Sequence, residues 1–309
     1  MSPDGRIVVL GVGGVGGYFG GKLVRGGEPV TFVARGAHLQ ALRTHGLRVR
    51  SAIEGESVVT VDAVERPAGP PAAAVIVSVK SFDTEAALLQ ARPVIGPATA
   101  VVSLQNGVDN LETIDRVLGP AHAIGGVAYV FASIEAPGVI AHQLNGTVAL
   151  GERDGTLTPR LARLEAAFQR AGVPVSVTTE IIRVLWEKYL LICAQAGLTA
   201  LTRCPIGVIR ETPETWRLYR TVVEELAAVG TAAGVRLPAD VVDRIVGAAA
   251  GLGAGARSSM YHDLVAGKRL ELEGLHGHAV RLGAKLGVPT PVLAAIYAGL
   301  KPHVAGARP

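Results

Sequence analysis

The sequence predicts an α/β protein: a doubly wound parallel sheet in the N-terminal half, followed by an all-helical C-terminal domain. Three observations carry that prediction. Short apolar runs alternate with helix-patterned stretches from Ile7 to Leu118, the order that builds a parallel sheet with helices on its faces. The run "AAVIVSV" at 73–79 is apolar almost throughout, as expected of a strand covered on both sides. Beyond position 178 the pattern is helical to the end.

Taken in order, Ile7–Leu10 is a strand, and Gly14–Arg25 is a helix ended by Gly26 and Gly27. A strand at 30–34 leads to a short helix at 38–45, and 58–61 alternates as a strand. The apolar run at 73–79 precedes a helix at Thr84–Ala91. A strand at 99–104 closes on Gln105, Asn106 and Gly107, and a helix covers 111–118. After Gly125 the signal changes: 126–134 and 139–150 read as two strands across Pro137 and Gly138. A helix at 159–171 and a strand at 173–177 complete the first domain, placed at 1–178. The second domain, 179–309, carries helices near 180–202, 213–234, 238–252, 258–266, 269–286 and 290–301.

Composition bounds the function. The chain has 309 residues, enough for about two domains. Hydrophobic residues make up 49% and aromatic residues 4%, so the core must be built from Ala, Val, Leu and Ile. The net charge is +4 and the arginines are scattered, which argues against nucleic acid as a partner. A mild basic excess still suits an anionic metabolite or cofactor. The two cysteines, Cys193 and Cys204, form no CxxC or Cys/His cluster, so no metal site is expected. They are read as buried thiols in a reducing compartment. Met1 to Arg6 leads straight into the first strand without a leader pattern. The longest uncharged helical stretch, 189–202, is shorter than the roughly 20 residues a bilayer needs. A cytoplasmic, membrane-free protein is the expectation.

The stretch "IVVLGVGGVGGYFGGKLVRGGEPVTFVAR" holds the first functional signal. Gly11, Val12, Gly13, Gly14, Val15 and Gly16 match GxGxxG between an apolar strand and a helix. The first glycine permits a tight turn, the second lets backbone approach a pyrophosphate, and the third lets helix and strand pack closely. Unpaired amides at the helix start face the phosphates. An NAD site carries a carboxylate at the end of the second strand. Here Arg35 stands there, and a guanidinium suits a 2′-phosphate, so NADP is favoured. Two more strand ends should face the cofactor. Lys80 is placed to reach a phosphate or ribose, and Asn106 to bond the nicotinamide ribose or the substrate.

These residues, with "SVKSFDT", "SLQNGVDN", "LWEKYLL", "GLTALTRCPIG", "SSMYHDLVAGKRLELE" and "LGVPTPV" in this order, give a chain that resembles the ketopantoate reductase family nearly end to end. The resemblance implies a Rossmann domain followed by a helical domain, with the active site in the cleft between them. It also implies NADPH-dependent reduction of a 2-keto acid to a 2-hydroxy acid, 2-dehydropantoate to pantoate in pantothenate biosynthesis being the first expectation. By this likeness Lys188 is the proton donor and Glu271 helps hold the cofactor and order the site. Ser259, 12 residues before Glu271, is a candidate substrate ligand. An ammonium can stabilise the alkoxide formed by hydride addition and deliver its proton, and burial eases that transfer.

The chain also departs from the family. Asparagines that the family presents to substrate fall here on Ile192, Ala196 and Ile206. Helical geometry returns Gln195 and Thr199 to nearly the face of Lys188, and both are expected to face the substrate. Loss of the amides implies a less polar keto acid as an alternative substrate, because unpaired polar groups make such sites selective. A second alternative is an NADP-binding sensor without catalysis. Small apolar residues such as "IVGAAAGLGAGA" make a homodimer a further expectation.

Overall fold

The computed structural model describes residues 5–307, which divide into two compact units. The first comprises the chain up to Gln105 together with Asn110–Ile181; the second comprises Asn106–Asp109 and the chain from Ile182 onward.

The first unit holds ten strands in one sheet. They are β1 (Ile7–Leu10), β2 (Val30–Val33), β3 (Leu47–Ser51), β4 (Gly55–Val59), β5 (Asp62–Val64), β6 (Ala74–Val77), β7 (Ala100–Ser103), β8 (Ala123–Ala136), β9 (Val139–Gly151) and β10 (Val175–Val177). Five helices belong with them: α1 (Gly14–Arg25), α2 (Gly36–His45), α3 (Thr84–Ala91), α4 (Asn110–Leu118) and α5 (Pro159–Arg170). The strand order is β4-β3-β9-β8-β7-β6-β1-β2-β5, with β10 alongside β9. From β8 through β7, β6, β1 and β2 to β5, every neighbouring pair is parallel. Strands β1, β2, β6 and β7 are buried at every residue. Alternate side chains feed two layers: Ile7 and Val9 join Phe19, Phe32 and Phe168 on one face, while Val8 and Leu10 join Val75, Leu88 and Ile114 on the other. Burial of both faces is why these strands read as unbroken apolar runs.

The doubly wound parallel core is therefore present, but the whole sheet is mixed. Strands β8 and β9 pair antiparallel, as do β3 and β4. The reason lies in the connections. Residues 137–138 and 52–54 are too short for a parallel crossover, which takes a dozen residues or more, so each pair folds back as a hairpin. Strand β3 is absent from the predicted elements. Its sequence, LRVRS, alternates over only five residues and sits next to a predicted helix.

The second unit is helical: α6 (Ile181–Thr202, whose first residue packs in the first unit), α7 (Ile206–Glu211), α8 (Pro213–Ala232), α9 (Val241–Ala250), α10 (Ser259–Val265), α11 (His278–Leu286) and α12 (Pro291–Leu300). Two details differ from the predicted elements. Helix α7 is a short turn of helix between Cys204 and Pro213, too brief to show periodicity. The helix expected at 269–286 begins instead as a π-helical turn, Glu273–Gly277, that runs into α11. Cys193 is buried, whereas Cys204 is only partly so. The core is assembled from Tyr189, Leu190 and Ala194 on α6, Tyr219, Val222 and Leu226 on α8, and Leu293 and Ile296 on α12. Among the described residues, no helix is long and apolar enough to cross a membrane, and no Cys/His/Asp/Glu group could hold a metal ion.

Helix α12 starts at Pro291 without a side-chain cap of its own. The nearly buried Glu225 carboxylate on α8 fills that role, accepting the Val292 amide at 2.8 Å and the Leu293 amide at 2.9 Å. A carboxylate there satisfies orphan amides and meets the positive end of the helix. Glu225→Ala is expected to lower unfolding stability by about 2–3 kcal/mol, and Glu225→Gln by less; urea unfolding measures both.

Candidate active site

The carboxyl end of β1 turns through Gly11 at φ +90°, a left-handed conformation that L side chains rarely adopt. Any side chain at 11 would also strike Val79, with its Cβ 2.8 Å from Val79 Cγ1. Gly16 is crowded in another way: a Cβ there would lie 2.1 Å from the Gly11 carbonyl oxygen and 2.2 Å from Ser78 Oγ. Gly13 is the opposite case, since a Cβ would meet nothing within 4 Å. So two glycines are required by protein packing, while the third opens onto free space. Gly13 precedes α1, whose first turn has no side-chain cap and no acidic residue. Its amides are left for an anion. Val12 is buried, and Gly14 and Val15 keep part of their surface exposed. This cradle fits a pyrophosphate.

Neighbouring strand ends are tied to the cradle by polar residues whose role is not evident from their spacing. Ser78 Oγ donates to the Gly11 carbonyl at 2.8 Å. Gln105, buried at the end of β7, donates from Nε2 to the Val79 carbonyl at 2.8 Å and to Thr84 Oγ1 at 2.7 Å. Its Oε1 accepts Ser103 Oγ at 3.0 Å. The sequence signal for both is a polar residue closing an apolar run. Lys80, half-buried, follows β6 and opens a short turn at 81–83. Arg35 follows β2 with its side chain 83% exposed and one nitrogen 3.2 Å from Asp83 Oδ2. Such an exposed pair holds at most about 1 kcal/mol, so the guanidinium can turn to a stronger anion.

The second group of candidates lies in the helical unit. Lys188 on α6 is packed among enough protein atoms that desolvation lowers its ammonium pKa to about 8, and the Glu271 carboxylate acts in the opposite direction. Glu271 is nearly buried, as are its chain neighbours Leu270 and Leu272. The structure thus brings Lys188 and Glu271 into electrostatic contact. Thr199 differs from expectation: it has no exposed surface. Its hydroxyl donates to the Gln195 carbonyl at 2.6 Å and meets Ser258 Oγ at 2.7 Å, which braces α6 against the start of α10. Gln195 keeps part of its surface, and its enclosed Oε1 has no hydrogen bond among the described residues. Ser258 caps α10 through the Tyr261 amide at 3.0 Å, leaving its neighbour Ser259 exposed. Of the three apolar substitutions, Ala196 and Ile206 are buried, so Ile192 alone of them offers surface to a ligand. Asn106 is half-buried in the 106–109 segment.

Residues 7–155 match the family model described as "Ketopantoate reductase PanE/ApbA", and residues 180–304 match its C-terminal counterpart. The chain is 32% identical to the 2-dehydropantoate 2-reductase of Mesorhizobium japonicum over 95% of this chain and 96% of that protein. It is 34% identical to the enzyme of that name from Halobacterium salinarum, over 93% and 95% respectively. The crystal structure of a ketopantoate reductase from Ralstonia eutropha superposes with a TM-score of 0.88 at 35% identity, covering 96% of this chain and 98% of that one. The chain belongs to the ketopantoate reductase family. It is an oxidoreductase acting on CH–OH groups, and the cofactor of its family is NADPH.

The contrast among the glycines is testable. Gly16→Ala is expected to destabilise the fold by about 2–4 kcal/mol, because backbone must move. Gly13→Ala is expected to leave the melting temperature near that of the parent while weakening NADPH binding tenfold or more; thermal melting and fluorescence titration with NADPH separate the two.

Proposed function

We propose that this reductase converts a 2-keto acid to the 2-hydroxy acid with NADPH, 2-dehydropantoate to pantoate being the first substrate to try. The observation that carries the roles is the partly desolvated Lys188 ammonium beside Glu271. A pKa of about 8 leaves the group protonated at neutral pH yet ready to release its proton.

When bound, NADPH supplies the hydride that adds to the ketone carbon. The amides at the start of α1, from Gly13 to Gly16, hold the pyrophosphate, and Arg35 leaves Asp83 for the 2′-phosphate. Lys80 and Asn106 hold the ribose portions, Asn106 also orienting the substrate. Lys188 stabilises the alkoxide and protonates its oxygen. Glu271 keeps that ammonium charged and helps order the cofactor. Ser259 and Gln195 meet the carboxylate or hydroxyl of the substrate; the internal bonds of Thr199 make it a brace for them. Ile192, one helical turn from Lys188, favours keto acids with a less polar tail as a second reading. Leu201, Val208 and Leu218, exposed apolar residues of the helical unit, support association of two copies.

Lys188→Ala is expected to lower turnover by 10²–10⁴-fold, in proportion to the loss of a general acid, with NADPH affinity kept; unchanged turnover would favour a sensor. Reduction requires the protonated ammonium. Its kcat should therefore fall as pH rises through about 8, and oxidation of the hydroxy acid should rise over the same interval. Absorbance of NADPH across a pH series and a panel of keto acids reads both the limb and the preferred tail. Arg35→Ala should raise KM for NADPH about tenfold or more, as loss of a charged contact to phosphate predicts, and leave KM for NADH unchanged.

A further inference from the structure

The segment that carries Glu271 contains a device the reaction itself does not use. In the π-helical turn Glu273–Gly277, the Gly277 amide reaches back five residues to the Leu272 carbonyl at 2.9 Å. Such a turn holds one residue more than an α-helical turn and survives where neighbours enforce it. Two buried side chains do so here.

Tyr189 follows Lys188 on α6. Its hydroxyl donates to the Leu275 carbonyl at 2.6 Å and lies close to the Ala279 amide. That carbonyl and amide are four residues apart and would bond each other in an α-helix. The tyrosine hydroxyl takes that carbonyl, and a side chain that enters the helical ladder is a known cause of a break in it. A second link comes from the turn itself: His276 Nε2 lies 2.9 Å from the Cys193 carbonyl on α6, so Nε2 carries the proton. His276 has no exposed surface, and burial lowers its pKa to about 4, so the ring is neutral. Gly197 makes room for it, since a Cβ there would sit 2.5 Å from Nε2. The Glu271 carbonyl accepts the Leu275 amide at 3.1 Å. Glu271 is therefore bonded to the residue whose carbonyl takes the tyrosine proton.

We propose that Tyr189 and His276 form a two-point latch between α6 and the π-helical turn, and that this latch fixes the Glu271 carboxylate at its distance from Lys188. Both are positioning residues. Releasing either lets the turn relax by one residue, and one residue of helical register rotates a side chain by about 100°. Glu271 would swing away from the ammonium, whose charge depends on a near counter-charge in a poorly solvated place. The titratable groups around the latch are the Cys193 thiol and Asp109 near the Tyr189 hydroxyl, and His278, whose ring meets Tyr189 edge-on and whose Nδ1 lies 3.6 Å from Asp109 Oδ2. Glu271 faces Lys188.

The consequence for turnover rests on Lys188 being the proton donor proposed above, and the test separates the two. Tyr189→Phe and His276→Leu each remove one latch point, while His276→Gln keeps an amide donor at the position of Nε2. Each protein is titrated twice: by the alkaline limb of keto acid reduction, and by the pH dependence of Lys188 acetylation with acetic anhydride in the protein alone, read by mass spectrometry. Loss of the Glu271 influence lowers the lysine pKa. Both titrations should therefore move to lower pH by about half a unit or more, with kcat reduced about tenfold. His276→Gln should restore the parent values. Variants that melt earlier but keep the parent acetylation curve and kcat overturn the latch and leave a packing role. A parent enzyme without an alkaline limb overturns the donor role and the effect on turnover, while the acetylation curves still decide the latch. Tyr189→Phe, which removes a single oxygen, decides alone if His276→Leu does not fold.

Discussion

An ammonium drawn out of water must find a counter-charge or lose its proton. Lys188 stands between those outcomes: desolvation lowers its pKa and Glu271 opposes the fall. Much of the helical unit can be understood as the machinery of that balance. Glu271 is itself nearly buried, as are its chain neighbours Leu270 and Leu272. Helix α6 offers the lysine from a segment whose other faces are buried against α8, the π-helical turn and α12. Lys188 is held within a helix, whereas Glu271 lies in the turn just before Glu273, with its carbonyl tied to the Leu275 amide.

The sheet unit solves a different problem with neutral parts. It presents backbone amides rather than side-chain cations at the end of β1, and it holds their path rigid by hydrogen bonds across strand ends. Ser78 ties β6 to the glycine turn, and Gln105 ties β7 to the loop after β6. The contrast among Gly11, Gly13 and Gly16 follows from this construction. Two are glycine because protein atoms lie where a Cβ would go, and one because nothing does.

Much of this was legible in the amino-acid order. Strands buried on both faces must be apolar at every position, so β1, β2, β6 and β7 announced themselves, and the glycine spacing located the cradle. Pairing was less visible. The short connection at 137–138 already implied a hairpin, but β3 is too brief and too polar on one side to be distinguished from a loop. The candidate Lys188 was reached through a motif; its partial desolvation was not, because burial is a property of neighbours distant along the chain.

Local pattern by itself determined the elements, their alternation, the glycine turn and the candidate side chains, since each depends on residues within a few positions of one another. Tertiary packing alone decided what those side chains do. It turned Thr199 inward to Ser258, left Ser259 in the open and buried Ala196 and Ile206, although periodicity places several of these on comparable faces. It also brought Tyr189 against the π-helical turn that carries His276, 87 residues further along the chain. No spacing rule encodes that meeting, because it arises only when two helices compete for the same buried hydrogen-bonding groups.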